Sequence, residues 1–198
     1  NDAPWNGTRT GSFPARIYDQ ERSLTYLKVT GDLQEGPVQN YSATVSFQRS
    51  QDSEFQDRSP TDIRNQVIDV DTLGLDVQLE SALLGGNLIY GIDYYRDGID
   101  SAGTRTGRDP RSRRPVADDS TYHLLGAFAQ LRRPVTENLE ATVGARLTRA
   151  EANLGKVWDP ASGEDISATE NWSNVVFNLT RRALRSMRRA LIFETSSM

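Results

Sequence analysis

Residues 72–95 contain two alternating runs that lie on either side of a Gly-Gly turn. In the first run, leucine or valine fills every second position from Leu73 to Leu79, and the positions between them are polar or glycine. The second run repeats this period of two from Leu88 to Tyr94. Such a period is typical of a β-strand with one apolar and one polar face. The segment therefore predicts a long hairpin whose apolar face packs on a second sheet or meets lipid.

The same alternation recurs along most of the chain and predicts an all-β protein. It is clear at residues 41–48 and 139–148, and weaker at 22–31, 121–131 and 172–180. Together with the two runs above, these segments make seven predicted strands, with an eighth candidate before residue 20. We expect these strands to form an antiparallel meander of long hairpins like the one at residues 72–95.

The connections between these strands alternate in length. Residues 31–39, 82–87 and 132–138 are short, whereas 51–71, 97–120 and 150–171 are long and polar. A barrel with tight turns on one side of a membrane and long loops on the other has this rhythm. The pattern thus favours part of a transmembrane outer-membrane β-barrel. The alternative is a soluble antiparallel β-sandwich that acts as a binding or adhesion module.

The composition excludes several classes of protein. Only 36% of the residues are hydrophobic and the mean hydropathy is -0.59, so no stretch approaches the ~20 apolar residues of a transmembrane helix. A β-barrel remains compatible, because alternation dilutes its apolar signal. Cysteine is absent, which excludes disulfides and thiol catalysis. A net charge of -4 and a pI near 5.1 argue against nucleic acid as a partner.

Four stretches resemble the barrel of TonB-dependent outer-membrane receptors. The clearest is GAFAQLRRPVTENLEATVGARLT at 126–148, which is similar to the family's recurring strand, turn and strand. NLIYGIDYYRD, YDQERSLTYLKV and YSATVSFQRSQDSEF resemble the preceding strands, especially those of haem-receptor-like members. The resemblance covers about residues 10–180. It implies a location in the bacterial outer membrane, contact with outer-membrane lipid, and transport of a small-molecule iron chelate, such as a ferric siderophore, or of haem.

The resemblance also implies that the sequence is an incomplete receptor. The family's plug domain and its short box for the TonB energy-transducing system are not recognisable here, and a complete barrel of this kind has about 22 strands. We therefore interpret residues 1–180 as a partial barrel and expect the TonB system to be a partner of the full-length receptor only. Residues 181–198 form an Arg-rich tail without alternation, which indicates a truncated or frameshifted reading frame or an amphipathic end.

The predicted loop at 97–120 is rich in arginine. Its basic residues are Arg105, Arg108, Arg111, Arg113 and Arg114. As a mobile outer loop it could bind anionic ligands such as ferric siderophores, haem propionates or lipopolysaccharide phosphates, since guanidinium groups pair bidentately with such anions. The alternative is an ordinary solvated loop, because Asp118 and Asp119 follow and weaken the positive field.

Four charged residues fall in the polar rows of the predicted strands. They are Glu80, Asp93, Glu140 and Arg146. If the apolar rows face lipid, these side chains face the lumen, where they would line the path between the barrel wall and a plug.

The sequence offers no pattern for catalysis or for a resident metal or cofactor. His123 is the only histidine, and no nucleophile motif such as G-x-S-x-G accompanies it. Two sets of aspartates, Asp69 with Asp71 and Asp76, and Asp93 with Asp97 and Asp100, do not have the spacing of a calcium-binding EF-hand. We therefore predict that the chain is not an enzyme and holds neither a metal nor a cofactor.

Overall fold

The chain forms one antiparallel sheet in which each strand pairs with the next along the sequence. The computed structural model describes residues 3–4, 15–59 and 61–183. The strands are β1 (Ala3–Pro4), β2 (Ala15–Asp32), β3 (Asn40–Ser59), β4 (Asp62–Leu83), β5 (Gly86–Arg105), β6 (Ser120–Thr136), β7 (Leu139–Asp159) and β8 (Glu164–Ala183). A short 3₁₀ helix, Pro110–Arg113, lies between β5 and β6. No helix in this described part of the chain is long and apolar enough to cross a membrane.

The all-β antiparallel meander predicted from the sequence is confirmed. All seven predicted strands are present as β2 to β8, and β1 is a two-residue segment paired with β2. The predicted tail at 181–198 is described only in part. Its first three residues continue β8, and residues 184–198 lie outside the described residues, so the interpretation of the tail stays a prediction.

Two of the three predicted long loops are wrong. Most of residues 51–71 and of 150–171 belong to paired strands: β4 begins at Asp62 directly after β3 ends at Ser59, and β7 and β8 are joined by a short turn at 160–163. Only residues 97–120 contain a long connection, at 106–119. The reason is physical: backbone pairing satisfies the main chain whatever the side chains, whereas alternation appears only where one face meets an apolar medium.

The sheet has two chemically different faces, and in the described part of the chain neither packs against a second sheet. No hydrophobic side chain among the described residues is buried, and large ones on the apolar face are open, with Val45 50%, Leu147 51% and Phe177 76% exposed. The opposite, polar face carries Asp93 and Gln66, which are only 7% and 8% exposed. The soluble β-sandwich alternative requires apolar rows that pair across a core, and this arrangement is not present in the described sheet.

On the apolar face, a band of apolar side chains ends along an oblique line. The continuous row of apolar residues that starts at the 84–85 end of the sheet stops at directly paired Phe47 and Leu73, then Tyr94 and Leu125, then Leu147 and Val175. When the direct pairing is followed from strand to strand, each pair lies two residues nearer the end of the sheet that carries the 84–85 turn than the previous pair does. With strands ~4.8 Å apart and a rise of ~3.4 Å per residue, this line is inclined by about 35° to the perpendicular of the strands. That inclination matches the ~35–45° tilt of strands in outer-membrane barrels, so in tilted strands the apolar band would end at one level.

The band occupies only about half of each long strand. We use "turn end" for the end of the sheet with the connections 33–39, 84–85 and 137–138, where the band lies. We use "loop end" for the end with the connections 60–61, 106–119 and 160–163. The strands continue toward the loop end beyond the band, where the face that carries the band becomes mostly polar, with isolated apolar residues such as Phe55, Ile63 and Val67.

Candidate functional site

An ion pair crosses the middle of the polar face. Arg146 Nη2 on β7 donates to Asp93 Oδ2 on β5 at 2.8 Å, across the intervening strand β6. Gly126 of β6 pairs directly with Asp93, and a Cβ atom at Gly126 would lie 2.3 Å from Arg146 Nη2 and 2.5 Å from Asp93 Oδ2. The absence of a side chain at Gly126 therefore leaves the space in which the two charges meet.

The other two predicted lumen residues lie nearer the turn end and form separate contacts. Glu80 accepts hydrogen bonds from the side-chain amides of Asn40 at 3.2 Å and Asn87 at 2.5 Å. Glu140 pairs with Arg132 at 2.7 Å. The polar face thus carries all four predicted residues, but only Asp93 and Arg146 contact each other. That this face lines a lumen stays a prediction.

The long connection at residues 106–119, which we call the strap, is folded rather than extended into solvent. The Asp109 side chain caps the 3₁₀ helix by accepting from the backbone N–H of Arg111 at 2.9 Å, and Ser112 Oγ donates to the Asp109 carbonyl at 2.7 Å. Pro110 begins the helix, where its fixed φ is suitable and its missing N–H costs nothing.

The strap lies over the polar face at the loop end. Gln66 Nε2 on β4 donates to the Arg113 carbonyl at 2.8 Å. Gly103 on β5 permits the close approach, since a Cβ atom there would lie 2.0 Å from the same carbonyl oxygen. Pro115 shares a small cleft with polar-face residues of β2 to β4, among them Tyr18 and Glu54. The strap therefore covers part of the polar face instead of projecting away from the sheet.

Ion pairs fix both sides of the strap. Arg105, where β5 ends, donates two hydrogen bonds to the Asp62 carboxylate at 2.7 and 2.8 Å. On the other side, Arg114 Nη1 donates to Asp165 Oδ1 on β8 at 3.0 Å. Lys156 on β7 lies 3.3 Å from Asp118 and also exchanges two backbone hydrogen bonds with it. The strap is thus attached to β4 at one edge and to the β7–β8 hairpin at the other.

These contacts shift the acidity of the carboxylates that make them. The hydrogen bonds from Arg105 hold the pKa of Asp62 below its usual value, although partial desolvation opposes them. The side-chain hydrogen bond from Arg111 does the same to the pKa of Asp109. Burial would raise the pKa of Asp118, but hydrogen bonds from the Ser101 backbone and from Lys156 outweigh it and lower that pKa. The three carboxylates are therefore ionised at neutral pH.

The structure assigns the five predicted arginines to different contacts. Arg105 and Arg114 pair with aspartates, Arg108 lies close enough to Asp62 to help lower its pKa, and the carbonyl of Arg113 anchors the strap. Arg111 pairs with Asp109 and lies over the Trp158 ring at 4.6 Å. Because acids neutralise most of these charges, the loop is an organised surface rather than a free cationic arm.

Arg111 and Arg114 share one cleft between the strap and β7. We call it the strap cleft; its lining includes Arg111, Arg114, Lys156 and Trp158. It offers ammonium and guanidinium donors beside an indole ring that can stack on a planar group. Sequence reasoning missed Lys156 and Trp158, because the hairpin that carries them was expected to be a loop. It also missed Gln66, Asp62 and Asp165, for which the sequence gives no local signal.

His123 lies on the apolar face and not at the strap. It lies directly opposite Arg96 on β5, and its Nδ1 is 2.9 Å from the Tyr94 hydroxyl. Within the described ranges, no group of three or more histidine, aspartate or glutamate side chains is placed to hold a metal ion.

Comparisons with known proteins agree with this architecture. The family model described as "TonB dependent receptor-like, beta-barrel" matches residues 1–182. No curated protein matches the chain. Among solved structures, the "Copper transporter OprC" superposes with a TM-score of 0.62 at 17% sequence identity, over 81% of this chain and 28% of OprC. At that identity the likeness concerns the fold alone, and the chain spans little more than a quarter of the length of OprC.

Proposed function

The chain belongs to the TonB-dependent receptor-like β-barrel family, and we propose that it forms part of the wall and one outer loop of a nutrient-uptake receptor. Proteins of this family reside in the bacterial outer membrane. The observation that carries the proposal is the division of the sheet into an apolar face without cover and a polar face over which the strap folds. In a closed barrel, a loop on the polar side lies in the path of any solute that enters from the loop end.

The strap cleft is the proposed outer contact of the ligand. Lys156, Arg111 and Arg114 supply donors for carboxylate or catecholate oxygens, and Trp158 supplies a flat apolar surface. Since acids already pair with these cations, an incoming anion has to exchange with Asp109 or Asp165. This exchange favours a ligand that brings several anionic oxygens at once.

Such a ligand would be an iron chelate or haem. Both present anionic oxygens on a planar or rigid apolar body, which suits donors beside an indole. OprC is named as a copper transporter, but this chain resembles it in fold alone, so its name does not identify the ligand of this chain.

Asp93, Arg146, Glu80 and Glu140 are proposed to line the lumen below the strap. Each of these charged groups already has a partner: Asp93 and Arg146 pair with each other, and Glu80 and Glu140 contact neighbouring side chains. We therefore expect them to form a polar wall and not to bind the ligand. In the receptor of which this chain forms a part, a plug would rearrange against that wall when the TonB system supplies energy. Those two steps rest on the family resemblance.

Tryptophan fluorescence tests the cleft, because Trp158 lies within it. The full chain, reconstituted into lipid vesicles, is titrated with haemin, with a ferric catecholate chelate, and with a copper(II) salt as a comparison. We expect saturable quenching by haemin or by the chelate, and a smaller quenching amplitude in Trp158→Phe, in which Trp5 and Trp172 remain as the emitting residues. Arg111→Gln and Arg114→Gln should each weaken the binding about five- to tenfold, the effect of losing roughly 1–1.4 kcal/mol from a charge-assisted hydrogen bond.

The matched control is Arg133→Gln, which removes the same charge on the exposed far end of β6. It should bind as the unmodified chain does. A quenching amplitude that is unchanged in Trp158→Phe, or binding that weakens equally in Arg133→Gln, would remove the strap cleft from the proposal. Quenching by copper(II) alone would replace the chelate or haem with a bare metal ion as the ligand.

A further inference from the structure

Arginines mark the edge of the apolar band on alternate strands. On β3, β5 and β7, the next residue on this face after the continuous apolar row ends is Arg49, Arg96 and Arg149, respectively. On β6 the same position is His123. The apolar face therefore changes directly from an apolar surface to a cationic one, without an intervening neutral residue on these strands.

The three arginines lie on one oblique line. From Arg49 to Arg96, and again from Arg96 to Arg149, the line crosses two strands and moves two residues toward the turn end. With a strand spacing of ~4.8 Å and a rise of ~3.4 Å, consecutive arginines are about 12 Å apart and the line is inclined by about 35°. Because barrel strands tilt by ~35–45°, the three side chains share one depth at the border of the hydrocarbon layer.

These guanidinium groups are accessible. Arg96 is exposed and makes no ion pair with any of the residues described. Arg49 lies 3.8 Å from Asp71 and Arg149 lies 3.9 Å from Glu151, which are long separations, and their side chains are 63% and 66% exposed. Such pairs contribute little in water, so both arginines can turn to another anion at small cost.

The border of a bilayer presents one abundant anion. Phosphate groups of lipid headgroups lie just outside the hydrocarbon layer, and a long arginine side chain keeps its stem on the apolar surface while its head reaches them. Guanidinium groups bind phosphate oxygens with two parallel hydrogen bonds. We propose that Arg49, Arg96 and Arg149 form a belt that binds the phosphate groups of membrane lipids at the loop end of the sheet. The belt does not depend on which nutrient the receptor takes up.

Native mass spectrometry of the full chain in a neutral detergent tests this proposal. The probes are phosphatidic acid, whose headgroup is a bare phosphomonoester, and diacylglycerol with the same acyl chains but no phosphate. We expect phosphatidic acid to be retained far better. Arg96→Gln should lower its affinity about fivefold and the triple replacement with Arg49→Gln and Arg149→Gln further, since each basic residue near a lipid surface contributes about 1 kcal/mol.

Arg22→Gln is the matched control, because Arg22 is an exposed arginine near the loop end on the polar face. It should retain phosphatidic acid as the unmodified chain does, and circular dichroism should show the same β spectrum for every variant. Equal retention of the two lipids, or an equal loss in Arg22→Gln, would overturn the proposal. Displacement by inorganic phosphate at the same concentration as the lipid would also overturn it, because the site would then bind a free anion and not a lipid surface.

Discussion

The two halves of β5 carry very different side chains on the same face of the sheet. From Leu88 to Tyr94, alternate residues are large and apolar, whereas from Arg96 to Thr104 the same face carries arginine, glycine, aspartate, alanine and threonine. Both halves pair with β4 without a break in register. The difference between the halves therefore reflects the medium around each of them and not the backbone pairing of the strand. We assign the first half to lipid and the second to water.

The largest effect should come from placing an arginine in the apolar half of β5, and the same replacement in the polar half is the comparison. Ile92 and Ala102 are both exposed on the apolar face of β5. In a bilayer, Ile92→Arg should lower the free energy of unfolding by about 2–4 kcal/mol, because Ile92 lies in the band, and Ala102→Arg by about 0–1 kcal/mol. Urea-induced unfolding of the chain from vesicles, followed by tryptophan fluorescence, measures both. Equal costs would contradict the assignment of the two halves.

A second replacement separates the strap from the strand beneath it. Gly103→Ala places a Cβ atom 2.0 Å from the Arg113 carbonyl oxygen, so the strap has to move and the Gln66 hydrogen bond has to lengthen or break. We expect faster hydrogen exchange across residues 106–119. Gly98→Ala on the same strand is the control, because its Cβ atom would meet nothing closer than 3.9 Å. Unchanged exchange in Gly103→Ala would mean that the strap does not rest on β5.

The ion pair on the polar face should contribute less than either of these effects. A double-mutant cycle with Asp93→Asn and Arg146→Gln should give a coupling of roughly 0.5 kcal/mol, since the Arg146 side chain is 42% exposed and solvent screens the pair. Gly126→Val should abolish that coupling, because its side chain occupies the space between the charges. A coupling that persists in the Gly126→Val background would show that the two groups do not meet across β6.

The smallest effect should be a loosening of the strap in acid. Arg105 lowers the pKa of Asp62, so this ion pair contributes its full stabilisation above the unfolded pKa of ~3.9 and loses it as the pH falls through the lower folded pKa. Hydrogen exchange near Arg105, corrected for the intrinsic rate, should therefore rise below about pH 4. Asp62→Asn should exchange at the faster rate throughout and lose this pH dependence. A pH dependence that survives in Asp62→Asn would assign it to another carboxylate.

The sequence predicts the band half of the sheet well because alternation is strong there. The hairpin at 72–95 is present, and its turn places Leu84 and Gly85 at positive φ of 52° and 71°. The loop-end half could not be recognised in the same way. Residues 51–59 are polar apart from Phe55, and the apolar residues of 150–159 do not alternate regularly with polar ones, so only the pairing with β2, β4, β6 and β8 makes these segments strands.

The candidate site was predictable only where its members are close in sequence. The cluster of arginines and the compensating Asp118 stand in one stretch and could be found by inspection. Their partners Gln66 and Asp165 are 47 and 51 residues away from the arginines that they contact, and only the register of the meander brings them together. The register likewise places Gly126 between Asp93 and Arg146, which no local pattern indicates.

The most direct test of the assignment is a scan of solvent access along the apolar face of β5. Single cysteines at the even positions from 88 to 104, in a chain without native cysteine, are spin-labelled and the chain is reconstituted into vesicles. We predict high access to oxygen, which partitions into lipid, at 88–94, and high access to a water-soluble nickel chelate at 98–104, with the change near Arg96. Access to the nickel chelate along the whole strand, or to oxygen as far as Thr104, would contradict the account.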